Sequence, residues 1–267
     1  MTLWNFSDVP LTFNVYATDA FNNRAGDLTL LPTDATPTDA GSWIKLQTNN
    51  VTVAPKTKVD IPITVTVPDK ASPGDHTAGI VAAVPTPTVD ANGQRITVVR
   101  RTGSRAYVRV QGQVNQSLVV QNLSSGYSGT ANPLDGTFDV SYTLRNTGNV
   151  RLGAHQAIEI KDVIGRTVAT RKVRDVDQLL PGNAVKFTET FTGVPASFRV
   201  SADVKITPFA PAAGVTTKVP ASTTSSTSSW AIPWSVLLGI ALLVLVWRLY
   251  RRWSDSRSPR TTAAQLV

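Results

Sequence analysis

Between Trp230 and Trp247 the chain reads WAIPWSVLLGIALLVLVW without a single charge, and Arg248, Arg251, Arg252, Arg257 and Arg260 follow at once. A bilayer's hydrocarbon core is spanned by about 20 apolar helical residues. The pattern therefore predicts one transmembrane helix over 230–250, followed by a basic tail over 251–267. Trp230, Trp234 and Trp247, with Tyr250 and Trp253, bracket the run as aromatic rings do at the headgroup level. Arg248, Arg251 and Arg252 supply the positive flank that marks a cytoplasmic side, so the segment before the span is expected outside the cytoplasm.

That flank also changes the meaning of the net charge. The chain carries +8, which would invite a nucleic-acid partner, yet half of the excess lies after Trp247. No other stretch builds a basic groove, so nucleic acid is excluded as a partner. Cysteine is absent, which rules out disulfides, thiolate metal sites and a cysteine nucleophile. The first residues, MTLWNFSD, have neither a basic nor an apolar leader region. Because Leu3 to Phe6 already reads as strand interior, the start is expected to be truncated.

Before residue 230 no helical period occurs. Short alternating runs are separated by Pro, Gly, Asn and Asp, the mark of an all-β fold. Leu11, Phe13, Val15 and Ala17 share one face of a strand. Val59, Ile61, Ile63, Val65 and Val67 do the same, with Pro62 placing that strand at an edge or a bulge. Residues 77–84 form a continuous apolar run suited to a central strand, and Asn92-Gly93 marks a tight turn. The pattern restarts near Gly112, and about seven strands fit the next hundred residues, as in an immunoglobulin-like sandwich. The predicted organisation is two immunoglobulin-like β-sandwiches, 1–113 and 114–209, then a Ser/Thr/Pro spacer over 210–229 and the C-terminal transmembrane helix.

Chemistry is scarce. His76 and His155 stand far apart, no acidic cluster has metal-ligand spacing, and no nucleophile or phosphate-loop motif occurs. No enzyme, cofactor or metal is expected. The strongest polar constellation is RRTGSRAYVR over 100–109. Strand alternation puts Arg105, Tyr107 and Arg109 on one face and Ala106, Val108 and Val110 on the core side. The three outward side chains are suited to an anionic wall polymer, although a solvated face that keeps the sheet from aggregating is the favoured account of them.

Four motifs in order carry a resemblance: VYATDA at 15–20, GSWIKL at 41–46, the Pro55–Pro68 strand ending Val-Pro, and SPGDHTAGI at 72–80. Together they resemble the peptidoglycan-binding domain of the WxL-interacting protein family of Gram-positive bacteria. The resemblance implies a non-enzymatic, membrane-anchored surface protein that contacts cell-wall peptidoglycan and a WxL-type surface protein, with Tyr16 and Asp19 as additional ligand contacts. The alternative is an extracytoplasmic, chaperone-like assembly factor that completes a partner's sheet by strand addition at an exposed edge.

Overall fold

The computed structural model describes residues 1–211 and 219–255 of the chain. Two groups of strands enclose separate cores. The first unit holds β1 (Thr2–Trp4), β2 (Leu11–Asn22), β3 (Leu28–Leu30), the one-turn helix α1 (Ala40–Trp43), β4 (Ile44–Leu46) and β5 (Asn50–Val53). It continues through β6 (Lys58–Asp60), β7 (Ile63–Val65), β8 (Gly74–Val89) and β9 (Arg95–Val110). Its main sheet runs β3-β2-β8-β9, with β5 also paired to β2, and the pairs β1-β6 and β4-β7 complete the other side. Period-two alternation sends Phe13 and Val15 inward from β2 and Ala78, Ile80 and Ala82 inward from β8. They meet Leu3, Trp43, Ile44 and Ile61 in one core.

The expected long strand around Pro62 is instead two. Pro62 has no N–H to continue a ladder, so β6 ends and pairs with β1 while β7 begins and pairs with β4. Ile61 at the switch is buried, whereas Ile63, Val65 and Val67, expected on the same buried face, are exposed.

The second unit comprises β10 (Leu118–Ser128), β11 (Gly136–Asn146), β12 (Leu152–Lys161), β13 (Thr167–Leu179), β14 (Ala184–Val194), β15 (Phe198–Phe209) and β16 (Thr223–Ala231). One sheet is β10-β11-β14 and the other β13-β12-β15-β16. Alternate residues of β11, namely Phe138, Val140, Tyr142 and Leu144, lie fully inside the shared core. Burial pushes the Tyr142 phenol pKa up, and its hydroxyl donates to Gln156 Oε1 at 2.9 Å.

Strand β16 takes the last seven residues, 223–229, of the expected spacer. Its Ser and Thr residues bring no large apolar side chains, but its backbone pairs with β15 from Ile206↔Thr223 to Phe198↔Ala231. Ser226 donates to Asp203 at 2.6 Å, Ser229 donates to the Ser125 carbonyl at 2.7 Å, and Ala231 is buried in the core. Main-chain pairing and β-branched threonines thus order a segment whose composition alone reads as disordered. Residues 212–218 of that spacer lie outside the described residues. Helix α2 (Trp234–Asp255) begins four residues later than expected, because Trp230 and Ala231 belong to β16 and the Pro233 carbonyl accepts the Leu237 N–H at 3.1 Å. The tail beyond 255, including Arg257 and Arg260, lies outside the described residues.

Strand register gives the second unit two distinct ends. Loops 147–151 and 180–183 lie at one end and face the first unit. Loops 129–135, 162–166 and 195–197 lie at the other, where β16 runs into α2. The twelve residues of β15 span about 40 Å between them at a strand's rise.

Candidate functional site

The junction between the units is built around Asp75. In the β8–β9 hairpin Asp75 lies directly opposite Arg109 and Thr77 opposite Tyr107. The Asp75 carboxylate, 6% exposed, accepts from Arg109 Nε at 2.6 Å and Nη2 at 2.8 Å. It also accepts the backbone N–H of Arg151, from the second unit, at 3.0 Å. The Arg151 guanidinium lies 3.6 Å from the Tyr107 ring centre, and the Tyr107 hydroxyl meets the Gln178 side chain at 3.2–3.3 Å. The hydrogen bond to Asp75 raises the Arg109 pKa despite partial desolvation. Asn22 extends the junction, donating to the Gln178 carbonyl at 2.8 Å and accepting the Leu180 N–H at 2.9 Å.

Two of the three residues expected to form an open ligand patch are thereby committed elsewhere. Tyr107 fastens one unit to the other, and Arg109 holds the Asp75 carboxylate that does the same. Arg105 lines a cleft of about 580 Å³ between the units, together with Tyr107, Arg151, Arg174, Asp175 and Asp177. Arg174 pairs with Asp27 at 3.3 Å and His155 with Asp175 at 2.8 Å. Arg105 has no hydrogen-bond or ion-pair partner among the described residues. Cations and carboxylates alternate around this cleft, which is not the uniformly positive surface an acidic polymer would select.

Asp19 is a loop anchor. Its carboxylate accepts the N–H groups of Thr38 at 2.6 Å, Asp39 at 2.9 Å and Gly41 at 2.6 Å, and the residue is buried. Tyr16 meets Thr33 at 3.3 Å, with the Arg101 guanidinium 5.7 Å from its ring. His76 is held on both ring nitrogens, by Asp39 at 2.6 Å and by the Ser72 carbonyl at 2.8 Å. The Ser72 hydroxyl stands farther off, at 3.5 Å, so the ring is not free to activate it. Among the described residues no group of three or more His, Asp or Glu side chains could hold a metal ion. Of the expected membrane-anchoring residues, Trp234, Trp247, Arg248, Arg251 and Arg252 belong to α2, where the Arg251 guanidinium lies 4.7 Å from the Trp247 ring centre. Trp230 lies in β16 instead.

The feature with the clearest binding potential is the free side of β9. It is the last strand of its sheet and pairs with β8 over sixteen consecutive residues without a register shift. Pairing between β8 and β2 stops at Ala83, so Val84–Val89 and Arg95–Arg100 continue as a two-stranded ribbon. Val89, Ile96, Val98 and Val99 are exposed on it. An unbulged edge of this length offers a row of unpaired N–H and C=O groups to another chain. The free edge of β13 is different: its pairing with β12 shifts register three times, and Arg171, Lys172, Arg174 and Asp175 guard it. The sequence alone had placed candidate ligand contacts on the strand's face and left Asp75, Arg151, Gln178 and Asn22 unnoticed.

No family model matches the chain, and no curated protein matches it. Among solved structures it is similar to one described as "Chaperone-tip adhesin complex is vital for synergistic activation of CFA/I fimbriae biogenesis", with 11% identity over 84% of this chain and 89% of that one and a TM-score of 0.43. The class 5 fimbriae chaperone CfaA is similar at 13% identity over 84% and 89%, TM-score 0.40. The Pseudomonas aeruginosa CupB2 chaperone is similar at 9% identity over 86% and 90%, TM-score 0.32. Likenesses of this order leave the function to be argued from the geometry. The expected Gram-positive WxL-interacting family is corrected: no family model matches the chain, and the solved structures it is similar to are described as fimbrial chaperones or a complex of one. The expected peptidoglycan or wall-polymer ligand and the WxL-type partner fall with it.

Proposed function

We propose that the chain is a non-enzymatic, membrane-anchored assembly factor that holds a partner polypeptide by adding a strand along β9. The observation that carries this is the sixteen-residue, unbulged outer edge of β9 with exposed Ile96, Val98 and Val99. Main-chain hydrogen bonds along such an edge supply affinity, and alternate side chains set selectivity. The two units are immunoglobulin-like sandwiches, the second extending through Ala231. Helix α2 contains a span, Trp234–Trp253, long and apolar enough to cross a membrane. We place both units outside the cytoplasm and the arginine-rich end of the span inside.

Photo-cross-linking in intact cells tests the reading. A benzoylphenylalanine at Ile96 or Val98 is expected to capture a polypeptide, whereas one at Lys172 on the guarded β13 edge captures none. Equal adducts at all three positions, or none at β9, would remove strand addition at this edge.

A further inference from the structure

Every exposed large hydrophobic residue described between Leu118 and Ala231 sits at one end of the second unit. These are Leu134, 67% exposed, Val163, 59%, Ile164, 79%, Phe198, 52%, and Trp230, 72%, and Trp234, 65%, follows at the start of α2. They come from the β10–β11 loop, the β12–β13 turn, the start of β15, the end of β16 and the helix. The flanks and the junction end carry none among the described residues of that span. Surface hydrophobics scattered singly need no explanation, but a set gathered at one face does.

Two local features show that these side chains are held outward. In the β12–β13 turn the Asp162 carboxylate accepts the N–H groups of Ile164 at 3.1 Å and Arg166 at 2.9 Å, and Gly165 takes φ +81°. Hairpin tips are ordinarily polar, yet this rigid one presents Val163 and Ile164. Phe198 has φ +66°, a strained conformation for an aromatic residue that persists only where its surroundings enforce it. Its ring remains half in solvent.

We propose that this end of the second unit is seated in the headgroup layer of the bilayer that α2 enters. The inference rests on the membrane-anchored reading of α2. Only Ile232 and Pro233 separate β16 from the helix, and Pro233 is buried. That leaves no slack to hold the unit away from the lipid. From Leu238 to Trp253 α2 is exposed, with none of its apolar span buried among the described residues, so the helix leaves this end instead of folding back along the unit. Tryptophan, phenylalanine and branched aliphatic side chains are the groups that partition into an interface. Charges at this end are balanced. Arg166 pairs with Asp162 and Lys161 with Asp203, Arg199 is bonded to the Ser228 hydroxyl, and Asp135 is exposed. Apolar insertion, not lipid charge, therefore drives the seating, and zwitterionic bilayers suffice.

The chain's lack of cysteine makes the test clean. Single variants Ile164→Cys, Leu134→Cys, Lys186→Cys on the β14 flank and Leu243→Cys in α2 would carry a nitroxide in the full chain, reconstituted in phosphatidylcholine nanodiscs. Accessibility to oxygen and to a water-soluble nickel chelate is then measured. Labels at 164 and 134 are expected to shift from the aqueous values of 186 toward the lipid values of 243. Aqueous values at 164 and 134 with lipid values at 243 would overturn the seating while leaving the anchor. Aqueous values at 243 would overturn the anchor and the seating together. Low access to both reagents at 164 and 134 would mean that a second copy of the chain covers this end, and would overturn the proposal.

Discussion

Replacing Asp75 with Asn should weaken the whole protein more than a surface substitution can. The carboxylate accepts three hydrogen bonds, two from Arg109 and one from the Arg151 backbone, at 6% exposure. An amide keeps one acceptor and turns an NH2 toward donors. Charge-assisted bonds contribute about 1.5–3 kcal/mol each, and stranding a buried charge costs more. Arg109 is 32% exposed and can turn to solvent, which reduces the loss to about 2–4 kcal/mol. The full chain in detergent, unfolded by urea and followed through tryptophans in both units, should lose about 1 M in midpoint if m is about 2–3 kcal/mol per M. Because the Arg151 side chain, from the second unit, also places its Nε 3.7 Å from the Asp75 carboxylate, the loss should be smaller in an Arg151→Met background, with a coupling of about 0.5 kcal/mol or more. A midpoint change within error, or strict additivity with Arg151→Met, would refute the view that Asp75 joins the units.

Tyr142→Phe removes the donor to Gln156 Oε1 inside the core, so thermal unfolding should reveal a loss of about 1–3 kcal/mol. Asp203 is held below the usual carboxylate range by its hydrogen bond from Lys161 and then by that from Ser226, against desolvation. Its stabilising contribution is therefore complete above the unfolded carboxylate pKa of about 3.9 and is lost as pH falls through the lower folded value. The stability gap between the natural chain and Asp203→Asn, measured by urea titration across pH, should be constant above about pH 5 and close toward pH 2. The double change Ile96→Lys and Val98→Lys puts charge on the β9 ribbon, where such residues block edge pairing. It should abolish partner cross-linking from a probe at Val99 while thermal stability changes by less than about 0.5 kcal/mol.

Alternation revealed the strands whose two faces differ in environment. Phe138, Val140, Tyr142 and Leu144 could be assigned to a core from spacing alone, as could Phe13 and Val15. The β16 strand was hidden because Ser and Thr do not distinguish a spacer from a strand held mainly by its backbone. The Asp75 junction was hidden by register. A two-residue turn on Asn92-Gly93 would centre the hairpin between them and set Asp75 opposite Val110. The actual loop closes with Asp90 N–H on the Gln94 carbonyl at 2.9 Å and Gly93 at φ +79°. This centres the hairpin on Asn92 and brings Asp75 to Arg109. A one-residue slip exchanges the faces of a strand, so the partner of every β9 side chain depended on a turn length that sequence left open. The cleft between the units was illegible for a further reason. It needs Arg151, Arg174 and Gln178, which no local pattern connects to β9.

The direction of β16 has a mechanical consequence. A pull between the first unit and the membrane would tug the second unit upward at the start of β10 and downward at the end of β16, along the strands instead of across them. The β15–β16 ladder, from Phe198↔Ala231 to Ile206↔Thr223, would then bear the tension in shear, with all of its bonds loaded at once and none able to peel first. With the helix held in a membrane, the last strand before it would thereby let the second unit sustain a steady force.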